Sequence, residues 1–319
     1  MDALAALWDG AFGSWYAILS ATMVRATPLL LVGLAVALAF RAGVLNIGAE
    51  GQLLVGASAA TAVSLVLSGW PRPIAILLMA TAGALAGAGW AGIAAWLRRR
   101  FAVLEVISTL MLNFIAAALV SWLVRGPLQE PTGVYSQSAN IAAAARWPLL
   151  ISGHRLHLGF LLGLLAAFVA WWVLARTAVG FRVRLVGASP RAAASAGGVD
   201  VARTVTGVFL VSGALAGLAG ASEIGGVTWS LYEGLSPGYG YSAIADALLA
   251  RLDPRGVIVT ALLLGALDAG AAAMQRSAQV PAVVGQVIVA TLVLSVLGVQ
   301  ALRDRRLLQR GRTSAPEAA

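Results

Sequence analysis

Apolar runs of roughly 20 residues recur along the whole chain, and they constrain its fold more than any other feature. A helix of that length crosses the hydrocarbon core of a bilayer, which is about 30 Å thick. Of the 319 residues, 60% are hydrophobic and only 11% are charged, whereas a soluble domain carries about a quarter charged residues. The runs are continuously apolar and do not alternate as the strands of a membrane barrel do. We therefore expect an all-α polytopic membrane protein.

Membrane-spanning helices are predicted at eight places, and a shorter ninth is predicted at 238–250. The eight cover 26–40, 48–68, 73–97, 102–124, 156–175, 204–222, 257–275 and 281–301. Ahead of them, the moderately apolar segment 11–24 carries Trp15 and Tyr16, which favour the headgroup zone, so it is predicted to be an interfacial helix. The expected total is about nine transmembrane helices, within a range of eight to ten.

The placement of the arginines predicts which connections are cytoplasmic. Clusters of basic residues mark cytoplasmic loops, and the net charge of +9 is explained in this way without nucleic acid. The clusters stand at Arg41, at 98–100, in the loop 176–203, at Arg251 and Arg255, and in the tail 303–319. If 238–250 crosses, every connection alternates correctly. We expect a single transmembrane domain over 1–302, with an external N-terminus, an external loop at 125–155 and a cytoplasmic tail at 303–319.

The internal loop 176–203 contains a segment with the end signals of a short helix. Ser189 suits the N-cap, Pro190 fits the first helical position, and Gly197 or Gly198 ends the helix. Arginines flank it, so the helix is predicted to dock on a partner or, alternatively, to lie on anionic lipid headgroups.

A polar stretch between the first two long spans holds Arg41, Asn46, Glu50 and Gln52 among three glycines. Such groups are costly at membrane depth unless they line an enclosed path or find partners. On a helix, Asn46 and Glu50 would share one face and could offer hydrogen bonds to a polar solute. Alternatively, Asn46 caps a helix that begins near Gly48, and Glu50 lies in its first turn. Both interpretations stay open.

Three further polar residues lie in or beside predicted spans. Glu105 is placed to pair with the arginines at 98–100. Asn113 lies two turns deeper and is predicted either to line a cavity or to hydrogen-bond another helix. Asp268 lies in an otherwise apolar helix and is a candidate path-lining carboxylate, or the partner of an arginine on a neighbouring helix.

Glycine-interrupted polar stretches at 41–52 and at 250–256 suggest a faint internal symmetry, as in transporters built from repeats. The chain has no cysteine and therefore no thiolate metal site. It lacks the GxxxxGK[ST] phosphate loop, so ATP hydrolysis would have to occur on another chain. No nucleophile–base set appears in the spans, which disfavours a membrane-embedded enzyme.

Several stretches, taken in order, resemble the permease subunits of ABC importers for branched-chain amino acids, ribose and nucleosides, most closely the nucleoside branch. The matching stretches are RATPLLLVGLAVALAFRAG at 25–43, LNIGAEGQLLVGA at 45–57, EVISTLMLNF at 105–114, VGASPRA at 186–192 and AIADALLARLDPRG at 243–256. Each is weak alone, but the ordered set covers about residues 20 to 300 and is specific.

The resemblance implies a permease of the bacterial inner membrane that works with a second, homologous permease. Two cytoplasmic ATPases would carry ATP and Mg, and an external binding lipoprotein would deliver the substrate, which the nucleoside branch implies is a nucleoside. The family's coupling helix falls on Gly187–Gly197, and so covers Gly187, Ser189, Pro190, Arg191, Ala193 and Gly197, with Arg184 beside it.

Alternatives to this function remain at the level of sequence. Ribose-type sugars and branched-chain amino acids are alternative cargoes, and a secondary transporter driven by an ion gradient through Glu50 or Asp268 is a rival. Members of this branch usually carry another apolar helix ahead of the segment 2–24. The sequence leaves open whether the subunit lacks it.

Overall fold

The computed structural model describes residues 3–195 and 198–281, together with isolated positions between 283 and 298. The helices are α1 (Ala3–Phe12), α2 (Met23–Arg41), α3 (Ala49–Leu65), α4 (Arg72–Phe101), α5 (Glu105–Val124), α6 (Leu158–Arg176), α7 (Ala178–Ala188), α8 (Pro190–Ser195), α9 (Val201–Glu223), α10 (Tyr239–Leu249) and α11 (Pro254–Ala278). Within the described ranges the only β pairing consists of isolated bridges, in and around the loop between α5 and α6. The expected all-α architecture is confirmed.

Six helices are long and apolar enough to cross a membrane, and they coincide with six of the predicted spans. They are Ala17–Arg41, Arg72–Phe101, Glu105–Val124, Leu158–Arg176, Val201–Thr228 and Pro254–Ala278. Two more predicted spans are helical but shorter than these six, since α3 has 17 residues, at the lower limit for a membrane span, and α10 has 11. The predicted span 281–301 is described only at isolated positions, and the predicted tail 303–319 lies outside the described residues.

The predicted interfacial helix at 11–24 is wrong. A π-helical segment, Ala17–Thr22, continues directly into α2, so that one helix of 25 residues replaces the shorter predicted span. The preceding α1 packs on α11, where a Cβ added to Gly10 would lie 2.1 Å from Ala273 Cβ. The aromatic residues at 15–16 suggested an interface, but tertiary packing of α1 decides the local structure.

Close helix contacts in the centre of the bundle depend on glycine. A Cβ on Gly217 of α9 would lie 2.1 Å from the carbonyl oxygen of Gly83 on α4, and a Cβ on Gly56 of α3 would lie 2.3 Å from Gly217 Cα. Helices can approach this closely only where no side chain intervenes. The glycines of α9 thus allow α3, α4 and α9 to pack closely together.

The bundle has an arginine-rich end, where α2, α4, α6 and α9 meet α7 and α8. Small and branched residues of these helices form a separate hydrophobic cluster there, which includes Ala39, Ala95, Leu174, Val186 and Ala193. The loop 176–203 therefore belongs to the packed body of the protein. We call the other end, formed by the α3–α4 and α5–α6 connections, the opposite end.

Candidate functional site at two helix N-termini

The chain crosses the bundle twice as part loop and part helix. In the first interrupted crossing, Gly43 ends α2 with a φ of 71°, and the chain turns back without regular structure until α3 begins at Ala49. A residue with positive φ after a helix favours glycine, because glycine has no Cβ to clash.

The second interrupted crossing lies before α10. The chain leaves the π-helical segment Ile224–Thr228 near the opposite end, where Glu233 pairs with Arg125 at 2.8 Å, and runs without helix to Tyr239. α10 then runs to Leu249, and Arg251 follows in the turn at the arginine-rich end. The predicted polar stretch at 250–256 lies at the turn that connects α10 to α11. The sequence signal for the non-helical segment before α10 is the group of turn-forming residues Pro237, Gly238 and Gly240.

Asn46 anchors the first crossing deep in the bundle. Its Nδ2 donates to Ser212 Oγ of α9 at 2.9 Å, and that hydroxyl donates to the carbonyl oxygen of Ala35. Ala35 precedes Arg41 by six helical residues, which corresponds to about 9 Å of depth. Asn46 also forms a reciprocal amide pair with Gln52, with both bonds at 3.0 Å.

Asn46 precedes α3, so its spacing from Glu50 does not place both side chains on one helix face. Asn46 Oδ1 instead accepts a bond from the backbone N–H of Gly48 at 3.0 Å, which holds the start of α3. Asn46 is fully buried, and its amide is engaged by protein groups on both atoms. Its observed contacts are those of a residue that shapes the loop.

Glu50 joins the two interrupted crossings. Its side chain lies in the first turn of α3, and its Oε2 accepts a bond from the backbone N–H of Gly240, the second residue of α10, at 2.6 Å. Helix N-termini carry partial positive charge and unpaired N–H groups, so a carboxylate between two of them is stabilised. A Cβ on Gly240 would lie 2.3 Å from Glu50 N, and only glycine permits this approach.

Asn113 of α5 bonds to both crossings. Its Oδ1 accepts from the backbone N–H of Gly51 at 2.8 Å, and its Nδ2 donates to the carbonyl oxygen of Ile47 at 2.9 Å. The same Nδ2 donates to the hydroxyl of Tyr241 at 3.3 Å. Asn113 is buried, whereas Tyr241 is 44% exposed and forms the accessible edge of the cluster. We call Asn46, Glu50, Gln52, Asn113, Gly240 and Tyr241 the junction.

Asp268 shares no hydrogen bond with the junction. Its carboxylate lies 3.9 Å from the guanidinium of Arg25 on α2, which is the arginine partner considered as the alternative. Sequence reasoning missed Ser212, Gly240 and Tyr241. Their contribution depends on a tertiary contact between distant segments or on a backbone N–H, neither of which leaves a pattern in the sequence.

The loop helix has the predicted end signals. Ser189 Oγ accepts from the backbone N–H of Ala192 at 3.2 Å, and Pro190 occupies the first position of α8. Ala193 is fully buried, while Arg191 is exposed. Gly197 lies outside the described residues, so the predicted end of the helix is not described.

Gly187 connects this loop to the first interrupted crossing. A Cβ on Gly187 would lie 2.0 Å from the carbonyl oxygen of Arg41, and a Cβ on Gly43 would lie 3.4 Å from Gly187 Cα. The end of α7 therefore rests on the turn that leads to Asn46. Glu105 is also placed as predicted, because it accepts from Arg98 at 2.9 Å and closes the turn between α4 and α5.

A bundle of apolar helices with two helix N-termini meeting at buried polar groups is the architecture of a solute-transporting membrane protein. The family model for the permease component of branched-chain amino acid transport systems matches residues 18–297, and the chain belongs to this family. It is a multi-pass permease subunit of an ABC transporter in the inner membrane, a transport component and not an enzyme.

Curated relatives match along most of the chain. The guanosine ABC transporter permease protein NupP of Bacillus subtilis is 40% identical over 93% of this chain and 86% of its own length. The glucose ABC transporter permease protein TsgB13 of Haloferax volcanii is 39% identical over 88% of this chain and 76% of its own. The nucleoside permease protein NupB of Lactococcus lactis is 29% identical over 91% and 81%. Comparison with solved structures gave no significant match.

Proposed function

We propose that this chain is the permease subunit of an ATP-driven importer for nucleosides. The observation that carries the proposal is its 40% identity with a guanosine permease over 93% of the chain. A nucleoside offers ribose hydroxyls and base nitrogens, which amide and carboxylate groups such as those of the junction bind by hydrogen bonds. The ion-gradient rival loses its support because permeases of this family belong to ABC transporters.

In this proposal the substrate passes beside the junction. Tyr241 and Asn113 form its accessible side, and Glu50 lies behind them at the two helix N-termini. Asn46 and Gln52 fix the loop that carries the site, since they bond mainly to each other and to Ser212. Asp268 is left outside the path because its carboxylate pairs with Arg25.

The proposed partners complete the transporter. A second, homologous permease would cover the exposed apolar face of α5, which includes Met111, Phe114 and Ile115, so that the accessible edge of the junction lies between two subunits. The relatives support such a pair, because Bacillus subtilis has the guanosine permeases NupP and NupQ. ATP and Mg would bind separate ATPase chains, and an external lipoprotein would deliver the substrate at the opposite end.

The loop helix α8 is proposed to receive the motion of an ATPase at the cytoplasmic, arginine-rich end. Because Gly187 rests on Arg41 and Gly43, a displacement of α7 and α8 would shift the turn that carries Asn46. Such rigid-body coupling of packed helices is a common mode of switching. The junction would open or close without any chemistry on this chain.

Charge reversal at Arg184 and Arg191 tests the coupling role. We expect the double variant Arg184→Glu/Arg191→Glu to lose uptake and co-purify with less ATPase, because like charges at a docking surface repel an acidic partner surface. Arg72→Glu, an exposed arginine near the opposite end, is the matched control. Normal uptake in the double variant would exclude docking through this helix.

A sugar is the second candidate cargo, because a glucose permease is 39% identical over 88% of the chain. The test is ATP-dependent uptake by the full transporter in proteoliposomes, with labelled guanosine or labelled glucose and its substrate-binding protein. Saturable guanosine uptake that excess glucose does not inhibit supports the proposal. Glucose uptake without guanosine uptake would overturn it.

A further inference from the structure

An apolar groove of about 720 Å³ lies between α6, α7 and α9, away from the junction. Its walls are mostly leucine and valine side chains, among them Leu162, Val169, Val208 and Leu215. Gly207 of α9 forms part of one wall, and a Cβ there would have no heavy atom within 4 Å. The groove is thus open, and nothing in the described residues fills it at this position.

The dimensions of the groove fit an extended acyl chain. On α6 the lining runs from Leu162 to Leu174, a separation of twelve positions that corresponds to about 18 Å of helix. One leaflet of the hydrocarbon core is about 15 Å deep, half of the full thickness. The groove therefore extends through the depth of one leaflet.

The mouth of the groove is positively charged. Arg182 of α7 and Arg203 of α9 line it at the arginine-rich end. Arg203 pairs with Asp200 at 3.1 Å, whereas Arg182 forms no ion pair within 3–195 and 198–281. The three charges leave the mouth with a net positive charge, above walls that are otherwise apolar apart from Thr204.

We infer that this groove binds one anionic phospholipid, with its acyl chain between α6 and α9 and its phosphate at Arg182 and Arg203. Basic pockets between transmembrane helices recognise acidic headgroups in this way. A free phosphate would leave the apolar walls exposed, and an apolar peptide would leave the arginines without counter-charge. The lipid would brace α7, which leads directly into α8.

Lipid retention by the purified full-length chain tests the inference, independently of any transported cargo. Native mass spectrometry compares phosphatidylglycerol with phosphatidylcholine at equal concentration. We expect phosphatidylglycerol to be retained preferentially, and Arg182→Gln to lower that preference about fivefold. Equal retention of the two lipids by the unmodified protein would overturn the inference, as would displacement of phosphatidylglycerol by millimolar inorganic phosphate.

A variant whose side chain fills the groove provides a second test of the inference. Gly207→Phe places a ring in open space, so we expect the variant to fold and to lose retention of both lipids. Gly89→Phe is the matched control, because Gly89 is an exposed glycine of α4 with equally open surroundings. Unchanged retention in Gly207→Phe would overturn the inference. If that variant fails to fold, Arg182→Gln alone decides.

A protein occupant is also distinguishable. The chain has no cysteine, so Gly207→Cys gives this subunit a single cross-linking site within the assembled transporter. Modification by a lipid-borne maleimide supports the inference. A cross-link to another subunit would show that a protein covers the groove, and would overturn it.

Discussion

The two interrupted crossings differ in what they bring to the junction. The first, before α3, contributes side chains: Asn46, Glu50 and Gln52 all come from one stretch. The second, before α10, contributes mainly backbone, since Gly240 offers an N–H group and almost no bulk. One crossing supplies the acceptor and the other supplies the donor, so neither can form the site alone.

This division explains why one half of the site is visible in the sequence and the other is not. Polar side chains among apolar residues attract notice, as the stretch from Arg41 to Gln52 does. A backbone N–H is present at every residue except proline, and only its position at a helix N-terminus makes it special. The contribution of Gly240 therefore depends entirely on the tertiary structure.

Removing the close approach of the two crossings is expected to have the largest effect. In Gly240→Ala, the new Cβ would meet Glu50 N at 2.3 Å, so the two helix N-termini must separate. We expect loss of guanosine uptake and a decrease of about 1–3 kcal/mol in the free energy of unfolding. Gly89→Ala, in open surroundings, should behave as the unmodified protein. Full uptake in Gly240→Ala would show that the approach is unnecessary.

Neutralising Glu50, which accepts the bond from Gly240, separates the effect of its charge from the effect of its geometry. Glu50→Gln keeps an oxygen for the Gly240 N–H but removes the negative charge between two partly positive helix ends. We expect the variant to assemble normally and to lose about tenfold or more of its uptake rate, equivalent to about 1.4 kcal/mol. Glu130→Gln, on the loop between α5 and α6, is the control. Unchanged uptake in Glu50→Gln would reduce Glu50 to a helix cap.

Loss of the buried hydrogen bond between α10 and α11 is expected to have a smaller effect on uptake. Asp246 of α10 is fully buried, and its carboxylate accepts a bond from the hydroxyl of Thr260 on α11. Thr260→Val removes that donor at almost constant volume, so we expect a loss of about 1–3 kcal/mol in stability. Uptake per folded transporter should stay close to normal. Thermal unfolding by intrinsic fluorescence, with Thr206→Val as the exposed control, measures the difference.

Much of the fold follows from local sequence. The apolar runs predict six crossing helices, the spacing of Ser189 and Pro190 predicts the start of α8, and the charges of Glu105 and Arg98 predict their pairing. These features depend on composition or on neighbours along the chain. By contrast, the union of residues 17–22 with α2 depends on packing of α1 against α11.

The site is less predictable for the same reason. Asn113 and Glu50 stand out as polar residues in apolar surroundings, but the sequence does not tell which distant groups they meet. Asp268 stands out equally, and the structure places it beside Arg25 instead. Depth and partners are properties of the assembled helices.

Site-directed labelling at Tyr241 tests whether substrate passes beside the junction. Because the chain has no cysteine, Tyr241→Cys gives a single thiol at the accessible edge of the junction, and Gly89→Cys gives a control on the outer surface of α4. The assembled transporter is treated with a small, water-soluble thiol reagent, with and without guanosine, binding protein and ATP. We predict that the thiol at 241 reacts, that substrate turnover changes its rate of labelling, and that the thiol at 89 is unaffected. A thiol at 241 that is inert to the reagent, or equally reactive with and without substrate, would contradict the account.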